Sequence, residues 1–332
     1  MKHVHENANK GVAPSARGIE IACRFFWQSG LPAIESEFPS YVDRLAAGLV
    51  AAGSECAGND DEISRDRDWG PRFHAYLTEP DFAKIGADLQ AVLDGLPASF
   101  EGACCYPSDQ HACRVFSIDG FFVEKTSNGS GRGFAAAPES PLDWLKIPES
   151  RLFDITHGQV FYDPLGEFSE RRHGFATYYP DDAWRNRLAA ASYECGHFGQ
   201  RLLPRALLRD DYYTAEIAWW RFVEAAMRLG FLLNRRYAPC QTWLYREFCK
   251  LPALSVEVTN LLWDGQCDTT RRPTLVGRIA SIYDAKIAES GFARLPDGRS
   301  SDSFILRAEE ISASIADPEV ARLAQWVDVV LG

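Results

Sequence analysis

Long apolar runs are missing from this sequence. Although 46% of its 332 residues are hydrophobic, no stretch approaches the roughly 20 apolar residues that a membrane-spanning helix requires. The N-terminal residues, MKHVHENANKGVAPSAR, also lack the apolar segment of a secretory signal. We therefore expect residues 1–16 to form a disordered leader, the protein to be cytoplasmic, and no membrane to be among its partners.

The chain has fewer basic than acidic residues. The chain has 35 lysines and arginines against 46 aspartates and glutamates, which gives a net charge of −11. Proteins that bind nucleic acid without sequence preference need a basic surface that displaces counterions from the phosphate backbone. The charge therefore argues against a nucleic-acid partner and favours small-molecule substrates. The sequence does not decide whether the chain forms a homodimer.

Several familiar catalytic and metal-binding motifs are absent as well. None of the nine cysteines forms a C-x-x-C pair, and none of the seven histidines forms an H-x-x-x-H pair, so the usual zinc and dithiol sites are excluded. Ser54 follows a glycine but lacks the G-x-S-x-G context of a hydrolase nucleophile. Most of the cysteines are expected to be small buried hydrophobic residues.

The most informative stretch that is present runs from Gly53 to Pro71 and reads GSECAGNDDEISRDRDWGP. In an extended strand Asp66 and Asp68 would project from the same face, because successive side chains alternate. Two adjacent carboxylates repel each other unless a cation lies between them, and Mg²⁺ prefers such oxygen ligands. A Gly53–Ser54 turn would offer backbone N–H groups to a phosphate.

Apolar periodicity predicts a mixed first part and a helical second part. Strands are predicted at the end of 41–52 and over 69–78, 112–123 and 158–163, and helices over 18–28 and 79–96. From Pro180 onward, apolar residues recur at three- and four-residue spacing without a fixed-period repeat, which is typical of a bundle. The predicted fold class is α+β, with a mixed sheet and flanking helices over residues 17–167 and an all-α bundle over residues 168–332.

A Gly-Ser pair followed by Asp-x-Asp on a strand resembles the signature of the nucleotidyltransferase superfamily, which includes DNA polymerase β-like and aminoglycoside nucleotidyltransferase-like proteins. The segments GSEC, DRDWGP, YDPLGEF and LLNRRYAP followed by Trp also resemble a bacterial domain-of-unknown-function group (4037). That second resemblance extends from about Gly18 to Pro252. Together they imply a nucleotidyltransferase-like head followed by a helical substrate-binding domain.

The resemblance also implies the chemistry. Asp66 and Asp68 would hold Mg²⁺, and Gly53 and Ser54 would contact the triphosphate of an NTP, with ATP as the first choice. Asp119, at the end of the third predicted strand, is the best match for a third metal-binding carboxylate. Arg114 is the alternative occupant of that position, and it would impair metal binding.

In the helical part the resemblance implies a carboxylate that deprotonates the acceptor. Glu224 is assigned this role of general base, with Glu216 as the alternative. Pairing of these glutamates with neighbouring arginines would explain them equally well. Arg235 and Arg236 could clamp phosphates, and the basic end of a helix would account for them too.

Two further segments are open to more than one interpretation. One acid of 60–62 could help to recruit Mg²⁺, or all three could belong to a solvated loop. The glycine-rich segment 127–133 lacks the strand and the distant acid of a dinucleotide-binding fingerprint, and a mobile loop over the site is favoured.

The resemblance implies an enzyme that moves an NMP group from an NTP to a hydroxyl or amino group of a small molecule, which we expect to bind between the domains. One alternative is a catalytically altered protein of the same fold that acts as a nucleotide-binding or toxin-neutralising partner. Another is a biosynthetic enzyme that uses the same pocket for different chemistry.

Overall fold

The structure is a computed structural model that describes residues 17–66, 68–106, 111–129, 132–292 and 303–323. The predicted leader, residues 1–16, lies outside the described residues. The chain divides into two compact units. The first comprises Met1–Pro138 and Ile147–Thr177, and the second comprises Glu139–Lys146 and Tyr178–Gly332.

All strands of the described residues belong to the first unit. They are β1 (Leu45–Val50), β2 (His74–Leu77), β3 (Ser99–Phe100), β4 (Ala103–Cys104), β5 (Arg114–Ser117) and β6 (Gly158–Tyr162). Four of them form a mixed sheet in the order β5-β2-β1-β6. Strand β1 is antiparallel to β2 and β6, whereas β2 is parallel to β5. Strands β3 and β4 form a separate antiparallel pair.

The described residues contain fifteen α-helices. In chain order they are α1 (Gly18–Phe25), α2 (Leu31–Glu37), α3 (Glu79–Asp94), α4 (Ile118–Thr126), α5 (Pro141–Lys146), α6 (Glu149–Thr156), α7 (Glu167–Ala176), α8 (Asp181–Cys195), α9 (Leu203–Leu207), α10 (Tyr212–Leu233), α11 (Gln241–Phe248), α12 (Ser255–Cys267), α13 (Arg272–Glu289), α14 (Ser303–Ala313) and α15 (Pro318–Leu323). A π-helical turn, Phe26–Gly30, joins α1 to α2.

Both faces of the four-stranded sheet are covered. On one face, Ala47 of β1 and Ala75 of β2 belong to a core cluster with Phe25, Phe26 and Leu89 from the flanking helices. On the other face, Tyr76 stacks on Phe168 of α7 with ring centroids 3.9 Å apart. All residues of β1 and β2 are consequently buried, as is typical of strands covered on two sides.

The positions of several predicted elements are confirmed. The apolar segment 41–52 contains β1, segment 158–163 contains β6, and α3 lies within the predicted helix 79–96. Thr78 begins α3 as its N-cap, because its hydroxyl accepts a hydrogen bond from the Asp81 N–H at 3.4 Å. Gly95 follows the last residue of α3. Local capping chemistry therefore determines where this helix begins.

The strand predicted over 112–123 is correct only in its first half. Strand β5 ends at Ser117, whose hydroxyl accepts a hydrogen bond from the Gly120 N–H at 3.1 Å and so begins α4. Asp119 therefore lies in the first turn of a helix and not at the end of a strand. The strand predicted over 69–78 is likewise shorter, since β2 begins only at His74.

The described residues of the second unit contain helices and no strand. Helix α10 supplies much of the core of this unit and packs against α8, α9, α11 and α13. A buried ion pair joins Arg307 to Asp284 at 2.6 Å. The α+β class, with a small mixed sheet, flanking helices and a helical second part, is thus confirmed.

None of the helices among the described residues is both long and apolar enough to cross a membrane.

Candidate functional site

The Gly53–Ser54 turn follows directly from β1. The strand ends at Val50, and after Ala51 and Ala52 the backbone turns at Gly53, where φ is +70°. A short 3₁₀ helix, Ser54–Ala57, follows. Among the described residues, the N–H groups of Gly53 and Ser54 donate to no other group. These two donors are therefore available to an anion.

Glu55 and Arg72 form a buried ion pair beside this turn. Arg72 Nη2 lies 2.8 Å from Glu55 Oε1, and the two residues are 4% and 1% exposed. Burial alone would lower the pKa of Arg72, but the adjacent Glu55 carboxylate raises it above its usual range. The guanidinium therefore stays charged within the protein.

Gly53 also lies against the segment that carries the paired aspartates. A Cβ atom added at Gly53 would lie 2.3 Å from Glu55 Oε2, 2.4 Å from Arg72 Nη2 and 2.7 Å from the carbonyl oxygen of Asp68. Any side chain at position 53 would displace one of these groups. The close approach of two backbone segments, together with the positive φ, explains why glycine occupies this position.

Asp66 and Asp68 do not lie on a strand, so the predicted strand geometry is wrong. Asp66 is exposed and ends a 3₁₀ helix, Ile63–Asp66, whereas Asp68 is half-buried and has a φ of +50°. Arg67, between them, lies outside the described residues. The Asp68 N–H donates to the Tyr106 carbonyl at 3.0 Å, which fixes the backbone of this loop. The two carboxylates are thus held on a loop that reaches Gly53.

The acidic spacer before Asp66 has structural partners. One carboxylate oxygen of Asp60, Oδ2, accepts hydrogen bonds from the Gly18 N–H and from Trp69 Nε1, each at 2.8 Å. Asp61 accepts hydrogen bonds from the backbone N–H groups of Ile63 and Ser64. Asp60 therefore anchors the start of α1 to the loop, and Asp61 caps the turn that follows it.

Asp119 is engaged by an arginine. Its carboxylate accepts a hydrogen bond at 2.6 Å from Arg171 Nη1 of α7, which also donates to the Ala135 carbonyl. The alternative residue, Arg114, lies on β5 with its guanidinium 4.3 Å from the centre of the Phe116 ring. Throughout the described part of the chain, no group of three or more His, Cys, Asp or Glu side chains lies close enough together to hold a metal ion.

The two candidate bases of the helical unit are both paired. Glu224 accepts hydrogen bonds from Arg228 at 3.0 Å and from Gln241 at 3.2 Å. Burial acts to raise the pKa of Glu224, but the bonds from Gln241 and Arg228 outweigh it and lower the pKa. Glu216 accepts a hydrogen bond at 2.6 Å from the buried Arg272. Either carboxylate would have to exchange these bonds before it could take a proton from an acceptor.

The predicted phosphate-binding arginines differ in their surroundings. The guanidinium carbon of Arg235 lies 3.5 Å from the centre of the buried Trp184 ring, and its Nη1 is 3.5 Å from Asp181. Arg235 also has a φ of +51°. The exposed side chain of Arg236 contacts no other described group by a hydrogen bond or ion pair. Stacking on Trp184 thus fixes the plane of the Arg235 guanidinium. The Arg236 side chain is exposed to solvent.

Burial shifts the pKa of His74 and of Asp154, among other groups near the sheet. Burial lowers the pKa of His74 well below its usual range, assisted by the charge of Arg72. Burial also raises the pKa of Asp154, on α6, to about 6, and the charges of Arg151 and Lys125 oppose this effect. His74 is therefore neutral, and Asp154 is costly to ionise.

Sequence reasoning missed the partners that organise the site. Glu55 and Arg72 are adjacent to the two recognisable motifs, in GSEC and in WGPR, but no periodic pattern indicates that they meet. Trp184, which supports Arg235, lies on α8, whereas Arg235 lies in the turn after α10, so no local spacing relates the two residues. The signal that could have identified Glu55 and Arg72 is their charge, since charged residues rarely occupy a segment that is otherwise buried.

One segment of the chain is similar to a known protein family. No curated protein matches the chain significantly. A family model described as "Domain of unknown function (DUF4037)" matches residues 144–244. This range contains Glu224, Arg235 and Arg236, whereas the stretch from Gly53 to Asp68 lies outside it. The predicted resemblance to a domain-of-unknown-function group is therefore supported over residues 144–244.

Proposed function

We propose that the chain is a Mg²⁺-dependent nucleotidyltransferase that moves an NMP group from an NTP, ATP by preference, to a hydroxyl or amino group of a small molecule. One observation carries the proposal. The turn after β1 offers the N–H groups of Gly53 and Ser54, and the loop that carries Asp66 and Asp68 approaches the same point, within 2.7 Å of a Cβ at Gly53. The N–H groups proposed to bind phosphate and the carboxylates proposed to bind Mg²⁺ thus belong to neighbouring segments.

The donor set fits Mg²⁺. Carboxylates of Asp66 and Asp68 are hard oxygen ligands, and Mg²⁺ is usually held by one or two carboxylates together with substrate phosphates. A site of that kind needs no third protein ligand, so it is compatible with Asp119 being paired to Arg171. When bound, the ion would neutralise charge on the phosphates and orient them for in-line displacement.

The chain's own groups would perform the remaining steps. The Gly53 and Ser54 N–H groups would bind the phosphates leaving as pyrophosphate, and the acceptor oxygen or nitrogen would form a bond to the α-phosphorus as the bond to the β-phosphate oxygen breaks. The acceptor proton would pass to a general-base carboxylate. In the helical unit, Glu224 is the candidate base, and Arg235 and Arg236 are candidates for charge-assisted binding of phosphate oxygens.

Pyrophosphate release tests this proposal. Purified full-length protein is incubated with Mg²⁺, each NTP in turn and a pool of small hydroxylated and amino compounds, and pyrophosphate is measured. We expect release with at least one NTP, and its loss in Asp66→Asn and Asp68→Asn. The matched control is Asp88→Asn, which alters an exposed acid on α3. Full activity in both Asn variants would exclude this metal site.

A second candidate is a nucleotide-binding protein of the same kind that has lost transfer. The observation in its favour is the ion pair between Asp119 and Arg171, which occupies the acid expected to complete the metal set. Calorimetric binding of ATP without any pyrophosphate release would favour this candidate. Absence of both binding and release would exclude both functions.

A further inference from the structure

The buried ion pair between Glu55 and Arg72 links the two segments of the proposed site. Glu55 belongs to the 3₁₀ helix that follows Gly53, and Arg72 lies between Asp68 and β2. Arg72 donates to Glu55 Oε1 from Nε at 3.2 Å and from Nη2 at 2.8 Å. Two guanidinium N–H groups that donate to one carboxylate oxygen fix the orientation of Arg72 as well as its distance from Glu55.

Stability alone does not explain this pair. Transfer of two charges out of water carries a large free-energy cost, and well-packed apolar residues of similar volume often give a protein that is as stable or more stable. Among the described residues, Glu55 Oε2 is buried without a hydrogen-bond partner, which adds to the cost. A pair that is costly and incompletely satisfied points to a requirement for geometry.

The contacts of Gly53 identify which geometry is fixed. The position of a Cβ at Gly53 lies within 2.7 Å of Glu55 Oε2, of Arg72 Nη2 and of the Asp68 carbonyl. The ion pair and the Asp68 backbone therefore converge on the same glycine. A change in the length or direction of the Glu55–Arg72 contact would shift Gly53 relative to Asp68.

We propose that Glu55 and Arg72 are positioning residues, which set the separation between the phosphate-binding N–H groups of Gly53 and Ser54 and the carboxylates of Asp66 and Asp68. The inference rests on the proposed function, because it concerns the same site. In this role neither residue needs to touch the nucleotide or the metal ion. Their contribution is to hold two segments at a separation that one Mg²⁺–nucleotide complex spans.

Replacement of Arg72 by lysine is the first test. Arg72→Lys retains the charge but loses the pair of guanidinium hydrogen bonds to Glu55. The matched control is Arg307→Lys, which makes the same change in the buried ion pair with Asp284 in the helical unit. Calorimetry with Mg²⁺ and ATP on the full chain should show affinity about tenfold weaker for Arg72→Lys and unchanged for Arg307→Lys. Wild-type affinity in Arg72→Lys overturns the inference.

A double variant distinguishes positioning from simple support of the fold. Glu55→Leu or Arg72→Met alone leaves one buried charge and should lower the Tm, whereas Glu55→Leu/Arg72→Met leaves none and should recover it. We expect the double variant to stay about tenfold weaker for ATP despite its recovered stability. Recovery of affinity together with stability would mean that the pair only supports the fold.

The two proposals fail in different ways. If wild-type protein binds no nucleotide, the proposed function fails and the positioning role fails with it. If wild-type protein binds ATP and both Arg72→Lys and the double variant bind it equally well, only the positioning role fails.

Discussion

Trp69 Nε1 donates a hydrogen bond over 2.8 Å to Asp60 Oδ2, and the same oxygen accepts the N–H of Gly18. One carboxylate thus holds the start of α1 and the loop before β2 together. Asp60, in the acidic spacer before Asp66, is therefore an anchoring residue. The effect of Asp60 on stability can be measured separately from any effect on metal binding.

Asp60→Ala should lower the free energy of unfolding by about 1 to 3 kcal/mol, because two donors lose their shared acceptor and Trp69 is buried. Urea unfolding followed by tryptophan fluorescence measures this. Glu62→Ala, which removes an exposed acid of the same spacer, is the control and should leave the curve unchanged. An Asp60→Ala variant as stable as wild type, but with a greater Mg²⁺ requirement, would instead assign Asp60 to metal recruitment.

The ion pair between Asp119 and Arg171 allows a second prediction. Both side chains are partly exposed, so each of Asp119→Asn and Arg171→Met should cost less than about 1 kcal/mol of stability. We expect both variants to retain most of the pyrophosphate release of wild type, unlike Asp66→Asn. Loss of release in Asp119→Asn alone, with Arg171→Met active, would show that Asp119 is a metal ligand after all.

Arg235 provides a third prediction, because its guanidinium stacks on Trp184 at 3.5 Å. Arg235→Lys keeps the charge but loses the planar contact, so it should weaken nucleotide affinity several-fold if the stacked plane orients phosphate-binding donors. Arg278→Lys is the matched control, since Arg278 is an exposed arginine of α13 that has no assigned role and stacks on no described ring. Calorimetry with ATP compares the two, and equal affinities would exclude an orienting role for Trp184.

Local patterns predicted the parts of the fold that local physics determines. The apolar run before Gly53 predicted β1, and the early acids and the Gly-Leu-Pro ending predicted α3. The error at Ser117 has a similar origin. Apolar residues on both sides of Ser117 suggested one long strand, whereas its hydroxyl caps a helix. A serine three residues before a glycine carries too little information to reveal this from sequence.

The geometry of the candidate site was less predictable, because contacts distant in sequence determine it. Asp66 and Asp68 were expected on a strand, but the Asp60–Trp69 bond and the Asp68–Tyr106 bond hold this segment as a loop. Glu55 and Arg72 meet across 17 positions. No spacing rule anticipates such a contact, since the folded sheet brings the two residues together.

The pKa of Asp154 gives the last prediction, which concerns pH. Burial raises this pKa from 3.8 to about 6, so the folded state binds the proton more tightly than the unfolded state does. The stabilising contribution of the protonated form is therefore complete below about pH 4, falls as the pH rises towards 6, and is absent above it. Asparagine resembles the protonated acid and does not ionise. Asp154→Asn should consequently be more stable than wild type by about 2 to 3 kcal/mol at roughly pH 8, and nearly equal to it at about pH 4. Urea unfolding of both proteins at the two pH values checks this, with the exposed Asp88→Asn as control. A stability difference that does not change with pH would mean that the Asp154 carboxylate is better solvated or better paired than its burial implies.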